Sequence, residues 1–152
     1  MIETTNPRYT DNVMRASFLL AGLGLIDAIY LTWVKLTGSL VACSNVGNCE
    51  VVNTSRFADI RGIPIALLGA GAYLAIIVLL GLELRRPAAA EMIRMGVFGL
   101  SLVGTLYSGY LTYVELEILH AICPYCLASA IIMILLLLVS IARLRQPWVE
   151  ET

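Results

Sequence analysis

Charge is scarce in this chain: Asp, Glu, Lys and Arg make up 14% of the residues, against roughly 25% in soluble domains. That scarcity excludes an ordinary soluble domain. The charges nearly cancel, leaving a formal net charge of −1. No basic run and no basic–aromatic interleaving is present, which excludes a nucleic-acid surface. A phosphate-cradling glycine loop and a carboxylate cluster are also missing. There is one histidine, His120. Only one of the two cysteine pairs has the close C-x-x-C spacing that a four-cysteine zinc site usually requires twice, so zinc is the weaker use of these thiols.

What the chain has instead is apolar length. Hydrophobic residues make up 59% of its 152 residues. Four runs approach the ~20 residues that cross a hydrocarbon core: about Ala16 to Leu36, Ile63 to Leu82, Met92 to Val114 and Ile122 to Leu144. The expected fold is therefore an all-α integral membrane protein, a four-helix transmembrane bundle forming a single domain over residues 1–152. Basic residues divide unevenly between its two ends. Arg8, Arg15, Arg85, Arg86, Arg94, Arg143 and Arg145 flank one side, and only Lys35, Arg56 and Arg61 the other. By the positive-inside rule both termini are expected in the cytoplasm, with the loop Thr37 to Gly62 and the turn Glu117 to Ala121 outside.

All four cysteines fall on that outer side, where disulfides form and persist. Cys43 and Cys49 lie in the long loop, and Cys123-Pro124-Tyr125-Cys126 opens the last helix. A thiol at a helix start is activated by the helix dipole. Leu40-Val41-Ala42-Cys43 has the look of a lipoprotein cleavage box. The apolar run before it exceeds the roughly 7–15 residues of a signal peptide, and Lys35 and Gly38 intervene, so the first run is expected to remain a spanning helix.

Tyr30-Leu31-Thr32-Trp33-Val34-Lys35-Leu36 recurs as Tyr110-Leu111-Thr112-Tyr113-Val114-Glu115-Leu116, five identities in seven at an offset of 80, and the same offset carries Cys43 onto Cys123. A parallel repeat of this kind starts both cysteine pairs at similar heights. Ser44 to Asn48 are mostly turn-formers that bend the loop back. Glu50 to Phe57 reads as a short amphipathic half-helix, lying on the membrane or dipping into the bundle mouth as a lid, or simply packing the outer surface. Gly62 and Pro64 suit the first turn of the second helix. Gly22, Gly24, Gly69 and Gly71 suit close helix packing, and Trp33 and Tyr113 an aromatic belt.

Two cysteine pairs on one side permit a thiol relay through mixed disulfides. Structural disulfides in a non-enzymatic scaffold or transporter are the alternative. The ordered set of Cys43, Cys49, Ser55, Arg56-Phe57, Gly62-Ile63-Pro64 and Cys123-x-x-Cys126 over about Ala16 to Leu144 resembles the vitamin K epoxide reductase family, most of all its bacterial quinone-reducing members. A membrane oxidoreductase that places its C-x-x-C in the first outer loop has the opposite order, and a glutaredoxin-like fold lacks its strand–helix pattern here.

The resemblance implies a thiol:quinone oxidoreductase of the bacterial cytoplasmic membrane, with its active site on the outer face. Cys43 would exchange with a reduced thioredoxin-fold, DsbA-like partner, and Cys49 would pass electrons to Cys123. Cys126 would react with the quinone (ubiquinone, menaquinone or a vitamin K form), near Ser55. Some members carry a fused thioredoxin-like domain, whereas this chain stops at Thr152, so a separate partner is expected. No metal is expected.

Asp27, Tyr107 and Tyr110 complete the candidate quinone site. Asp27 lies inside the first helix, where an ionisable group costs at least ~2.5 kcal/mol and is by default functional. Tyr107 is its repeat equivalent, and Tyr30 and Tyr110 follow one turn on. These groups line a quinone cavity or carry protons, or Asp27 makes an interhelical hydrogen bond. His120, three residues before Cys123, either assists a thiolate or is a bystander.

Overall fold

A computed structural model describes residues 7–40, 42, 43 and 47–146. Helix α1 runs Pro7–Thr37. It starts before the apolar run because Pro7 needs no N–H in a first turn, and nothing between Arg8 and Arg15 breaks the helix. An exposed Asp11–Arg15 pair at 3.0 Å spans that first stretch. Gly38, at φ 64°, follows its end.

The segment expected as one half-helix is divided. Helix α2 is Cys49–Thr54, and a tight 3-10 turn follows at Arg56–Ala58. Ser55 separates them in extended conformation, its amide bonded to the Val52 carbonyl. A small antiparallel hairpin then pairs β1, Asp59–Ile60, with β2, Ile63–Pro64. Its turn residues, Arg61 and Gly62, both have positive φ, the backbone that a two-residue hairpin demands. Pro64 therefore closes a hairpin rather than opening a helical turn, and α3, Ile65–Arg85, begins one residue later. Two-residue strands are too short to leave an alternating pattern in the sequence.

A 3-10 turn at Pro87–Ala89 leads into α4, Ala90–Tyr113, which continues as a wider π-helical turn, Val114–Ile118. Helix α5 is Pro124–Leu144, with Cys123 at its N-cap. Among the described residues, four helices are long and apolar enough to cross a membrane. In the bundle α1 packs on α3 and α5, and α4 packs on α5 and α3. All the loops that carry cysteine sit at one end.

The packing is inverted relative to a soluble bundle. Helix α1 buries Ser17, Ala21, Gly24 and Ala28 on one stripe and exposes Leu19, Leu23, Ile26, Ile29 and Trp33 on the other. Lipid gives large apolar side chains no reason to turn inward, so close backbone approach by small residues holds the helices together. Gly24 is the tightest case, because a Cβ there would lie 2.2 Å from the Tyr73 ring. Gly69 sits 4.0 Å from the Ala28 methyl by the same measure, whereas Gly22 and Gly71 face no neighbour within 4 Å. Tyr73 and Ile76 of α3, Val97 of α4 and Met133 and Leu136 of α5 fill the centre.

At the end remote from the cysteines, three helices are tied by charge. Glu83 of α3 accepts from Arg94 Nε of α4 at 2.8 Å and also pairs with Arg143 of α5. The Glu83 and Arg143 side chains are almost wholly buried. Removing the carboxylate from beside the buried Arg143 guanidinium leaves uncompensated charge, so Glu83→Gln is expected to cost about 3 kcal/mol. Unfolding in mixed detergent micelles checks this, and an unchanged midpoint would mean that the cluster contributes nothing to stability.

Candidate redox site

The inner cysteine pair owes its position to the start of α5. Pro124 takes the first helical position, where its missing N–H is not needed. Cys123 precedes it in extended conformation with only 1% of its surface exposed. Cys126 lies one turn into the helix, partly exposed, and both cysteines are free thiols. The Cys126 thiol hydrogen-bonds to the Cys123 sulfur and holds the Cys123 thiol below its ordinary value. Burial opposes this, while the amides of Cys126 and Tyr125 reinforce it, which is the helix-terminus effect at atomic scale.

The outer pair is a disulfide, Cys43–Cys49, with Cα atoms 6.2 Å apart. Cys43 is partly exposed and Cys49 is buried. Their loop is docked on the residues that flank Cys123. The Asn48 amide donates to the Ile122 carbonyl at 3.1 Å. On the other side the Tyr125 hydroxyl donates to the Ala42 carbonyl at 2.9 Å, and the Ala42 amide donates to the Tyr30 hydroxyl at 3.1 Å. The Tyr30 and Tyr125 rings pack with centroids 5.2 Å apart. Gly47 fits against Ile122 only because it has no side chain: its φ is +110°, and a Cβ would lie 2.3 Å from the Ile122 oxygen. Ser44, Asn45 and Val46, expected to turn this loop, and Val41 lie outside the described residues.

Beneath the thiols is a cavity of about 330 Å³, lined by residues from all four long helices and roofed by α2, the 3-10 turn and the hairpin. Cys123, Cys126, Ser55, Asp27 and Tyr107 all line it. Tyr110 does not: it is 51% exposed on the outer flank of α4, where its ring packs on that of Tyr107 with centroids 6.2 Å apart. Ser55 Oγ donates to the Val52 carbonyl at 2.8 Å. Asp27 Oδ2 is buried without a hydrogen-bond partner among the described residues. His120 turns away: it is exposed, has φ 47° at the end of the α4 extension, and its Nδ1 lies 3.0 Å from the Leu116 carbonyl.

Three cavity residues escaped the sequence reading. Tyr73 donates to the Ser129 carbonyl at 3.1 Å, with the two hydroxyls 2.9 Å apart. A lone tyrosine in an apolar helix gives no signal, although the glycine facing it on α1 is its complement. Lys35 reaches back from the end of α1 to Asp59 at 3.2 Å and to the Asn53 carbonyl, holding the roof down. Glu115 is buried within the π turn and accepts from the Cys123 amide at 3.3 Å through Oε2. It lines the cavity together with Cys126. Lys35 and Glu115 occupy the same place in the repeat, which was the available signal.

Two comparisons bear on this arrangement. The family model described as "Vitamin K epoxide reductase family" matches residues 15–141. A thiol-disulfide oxidoreductase of Arabidopsis thaliana, LTO1, is 27% identical over 134 residues, covering 84% of this chain and 35% of the relative. The chain thus spans about a third of the length of that relative.

The seat of Gly47 on Ile122 makes a direct prediction. Gly47→Ala places a Cβ at positive φ against a backbone oxygen, a cost of about 1 kcal/mol or more. It should undock the loop and lower the yield of a Cys49–Cys123 mixed disulfide, trapped in protein lacking Cys43 and Cys126, while the helices stay folded. An undiminished yield would show that the docked loop is not what brings the pairs together.

Proposed function

Since the chain belongs to the vitamin K epoxide reductase family, we propose that it is a membrane thiol:quinone oxidoreductase that generates disulfide bonds. In this reading a reduced thioredoxin-fold protein of the DsbA type is oxidised, and a membrane quinone becomes quinol. The observation that carries it is a partly exposed disulfide in a loop docked beside a free dithiol that lines an apolar cavity. The cavity volume lies in the range of small-molecule sites. The name of the plant relative, a thiol-disulfide oxidoreductase, supports the same chemistry.

Electrons enter at Cys43, the more accessible member of the outer pair. A partner thiolate attacks its sulfur, the Cys43–Cys49 bond breaks, and Cys49 leaves as a thiolate. A second attack by the partner's other thiol releases the partner oxidised. The reduced outer pair then exchanges with an oxidised inner pair through a Cys49–Cys123 mixed disulfide, for which the docked loop is suited. Cys126, open to the cavity, delivers the electrons to the quinone. Ser55 turns its hydroxyl from Val52 to a quinone oxygen, and Asp27 and Tyr107 form the polar edge of the site. The basic flanks support an orientation with this end facing outward and the termini cytoplasmic.

Quinone absorbance, followed in purified protein given a reduced DsbA-type dithiol and a soluble quinone, tests the proposal. Wild type should bleach the quinone, and Cys126→Ala should abolish turnover. Equal loss in the variant would overturn the mechanism. A trapped partner adduct should form on Cys43 when Cys49 is replaced by alanine; trapping on Cys49 in a Cys43→Ala protein instead would reverse the order of the outer pair.

A further inference from the structure

Reduction of a quinone takes up two protons as well as two electrons, and the cavity wall is apolar apart from a few groups. We infer that Glu115 is a catalytic acid–base that takes the proton from Cys126 and hands it to the reduced quinone. The inference rests on the thiol:quinone reading above and adds a residue to it.

The geometry has three parts. Glu115 lines the cavity beside both thiols and is 5% exposed. Its carboxylate reaches the inner pair by accepting from the Cys123 amide at 3.3 Å, and it faces the same cavity as Cys126. The third part is the backbone that puts it there. From Val114 to Ile118 the end of α4 widens to a π turn, with the Leu119 amide bonded back to the Val114 carbonyl at 2.9 Å. Such turns interrupt the regular progression of side chains and recur at functional sites. Here Val114 and Glu115 are both buried, while Leu116 and Ile118 face outward.

Other titratable groups on the cavity are differently committed. Lys35 of α1 is paired with Asp59 and bonded to the Asn53 carbonyl. Tyr73 of α3 is bonded to Ser129. Asp27 of α1 and Tyr107 of α4 line the cavity, but the hydrogen bond to the inner pair is made by Glu115. The roof contributes Ser55 and no charged side chain to the lining.

The step balances as follows. Cys126 gives its proton to Glu115, and its sulfur becomes nucleophilic. As the S–S bond to Cys123 forms, two electrons pass to the quinone. The proton on Glu115 moves to one quinone oxygen, and the proton released by Cys123 ends on the other. Two S–H bonds are exchanged for one S–S bond and two O–H bonds, and Glu115 returns to the carboxylate.

A merely structural Glu115 would cap the Cys123 amide, and a glutamine oxygen accepts that hydrogen bond equally well. Glu115→Gln therefore separates the two roles. Full-length protein in detergent, reduced with dithiothreitol and freed of it, is mixed rapidly with menadione or a short-chain ubiquinone while quinone absorbance is recorded. The variant is expected to be slower by about 100-fold, the scale of positioned acid–base catalysis. Formation of the Cys49–Cys123 mixed disulfide, in protein lacking Cys43 and Cys126, should be unchanged. Glu115→Asp should recover part of the rate. Wild-type speed in Glu115→Gln, or equal loss of the mixed disulfide, would overturn the inference. Failure of wild type itself to reduce quinone would instead overturn the thiol:quinone reading.

Discussion

A bilayer offers the backbone no hydrogen-bond partner, and everything else in this structure follows from that constraint. Each crossing must be a helix that satisfies its own amides, so irregular backbone is confined to the mouth or to places buried in protein. The cysteine loop, the short α2, the hairpin and the π turn all collect at one end of the bundle. Among the described residues, those with positive φ all lie there. The site is thus where the membrane allows the chain to stop being helical.

Helix association without a hydrophobic driving force imposes a second division. In the middle of the bundle the small residues of α1 admit Tyr73 against Gly24, and Ile76, Val97, Met133 and Leu136 fill the centre. Its two ends are tied by polar links. Far from the site, Glu83 joins three helices through two arginines. Near it, Lys35 holds the roof through Asp59, and Glu115 holds the start of α5 through the Cys123 amide. These last two occupy equivalent places in the repeat, one at the end of α1 and the other just past α4. The repeated segment supplies one polar anchor per copy, with opposite charge suited to what each must grip: a carboxylate and a carbonyl in one case, an amide in the other.

Much of the fold was legible beforehand because spanning helices announce themselves by length and apolar content. The four runs fall within or close to α1, α3, α4 with its extension, and α5. Less was legible at the mouth. A hairpin of two-residue strands leaves no periodicity, and Pro64 satisfies the rules for a strand end as well as those for a first helical turn. Tyr110 shares a sequence pattern with Tyr30 and follows Tyr107 by three residues, yet its ring falls on the outer flank of α4 rather than in the cavity. His120 stands next to the inner pair in sequence, but the left-handed turn at that residue carries its ring away. Sequence neighbourhood is a poor guide where the backbone reverses.

Membership of the bundle class and the grouping of all four cysteines at one end could be read from sequence alone. Those features depend on composition, spacing and order along the chain, which are one-dimensional quantities. Only the tertiary structure decided that Gly47 seats the outer disulfide against Ile122, that Tyr73 and Lys35 border the cavity, and that Glu115 holds the Cys123 amide. Each of these is a contact between segments far apart in sequence or across a local change of helical pitch. The close approach of two backbones, or the turn of one carboxylate, follows from how the helices pack and not from any pattern within them.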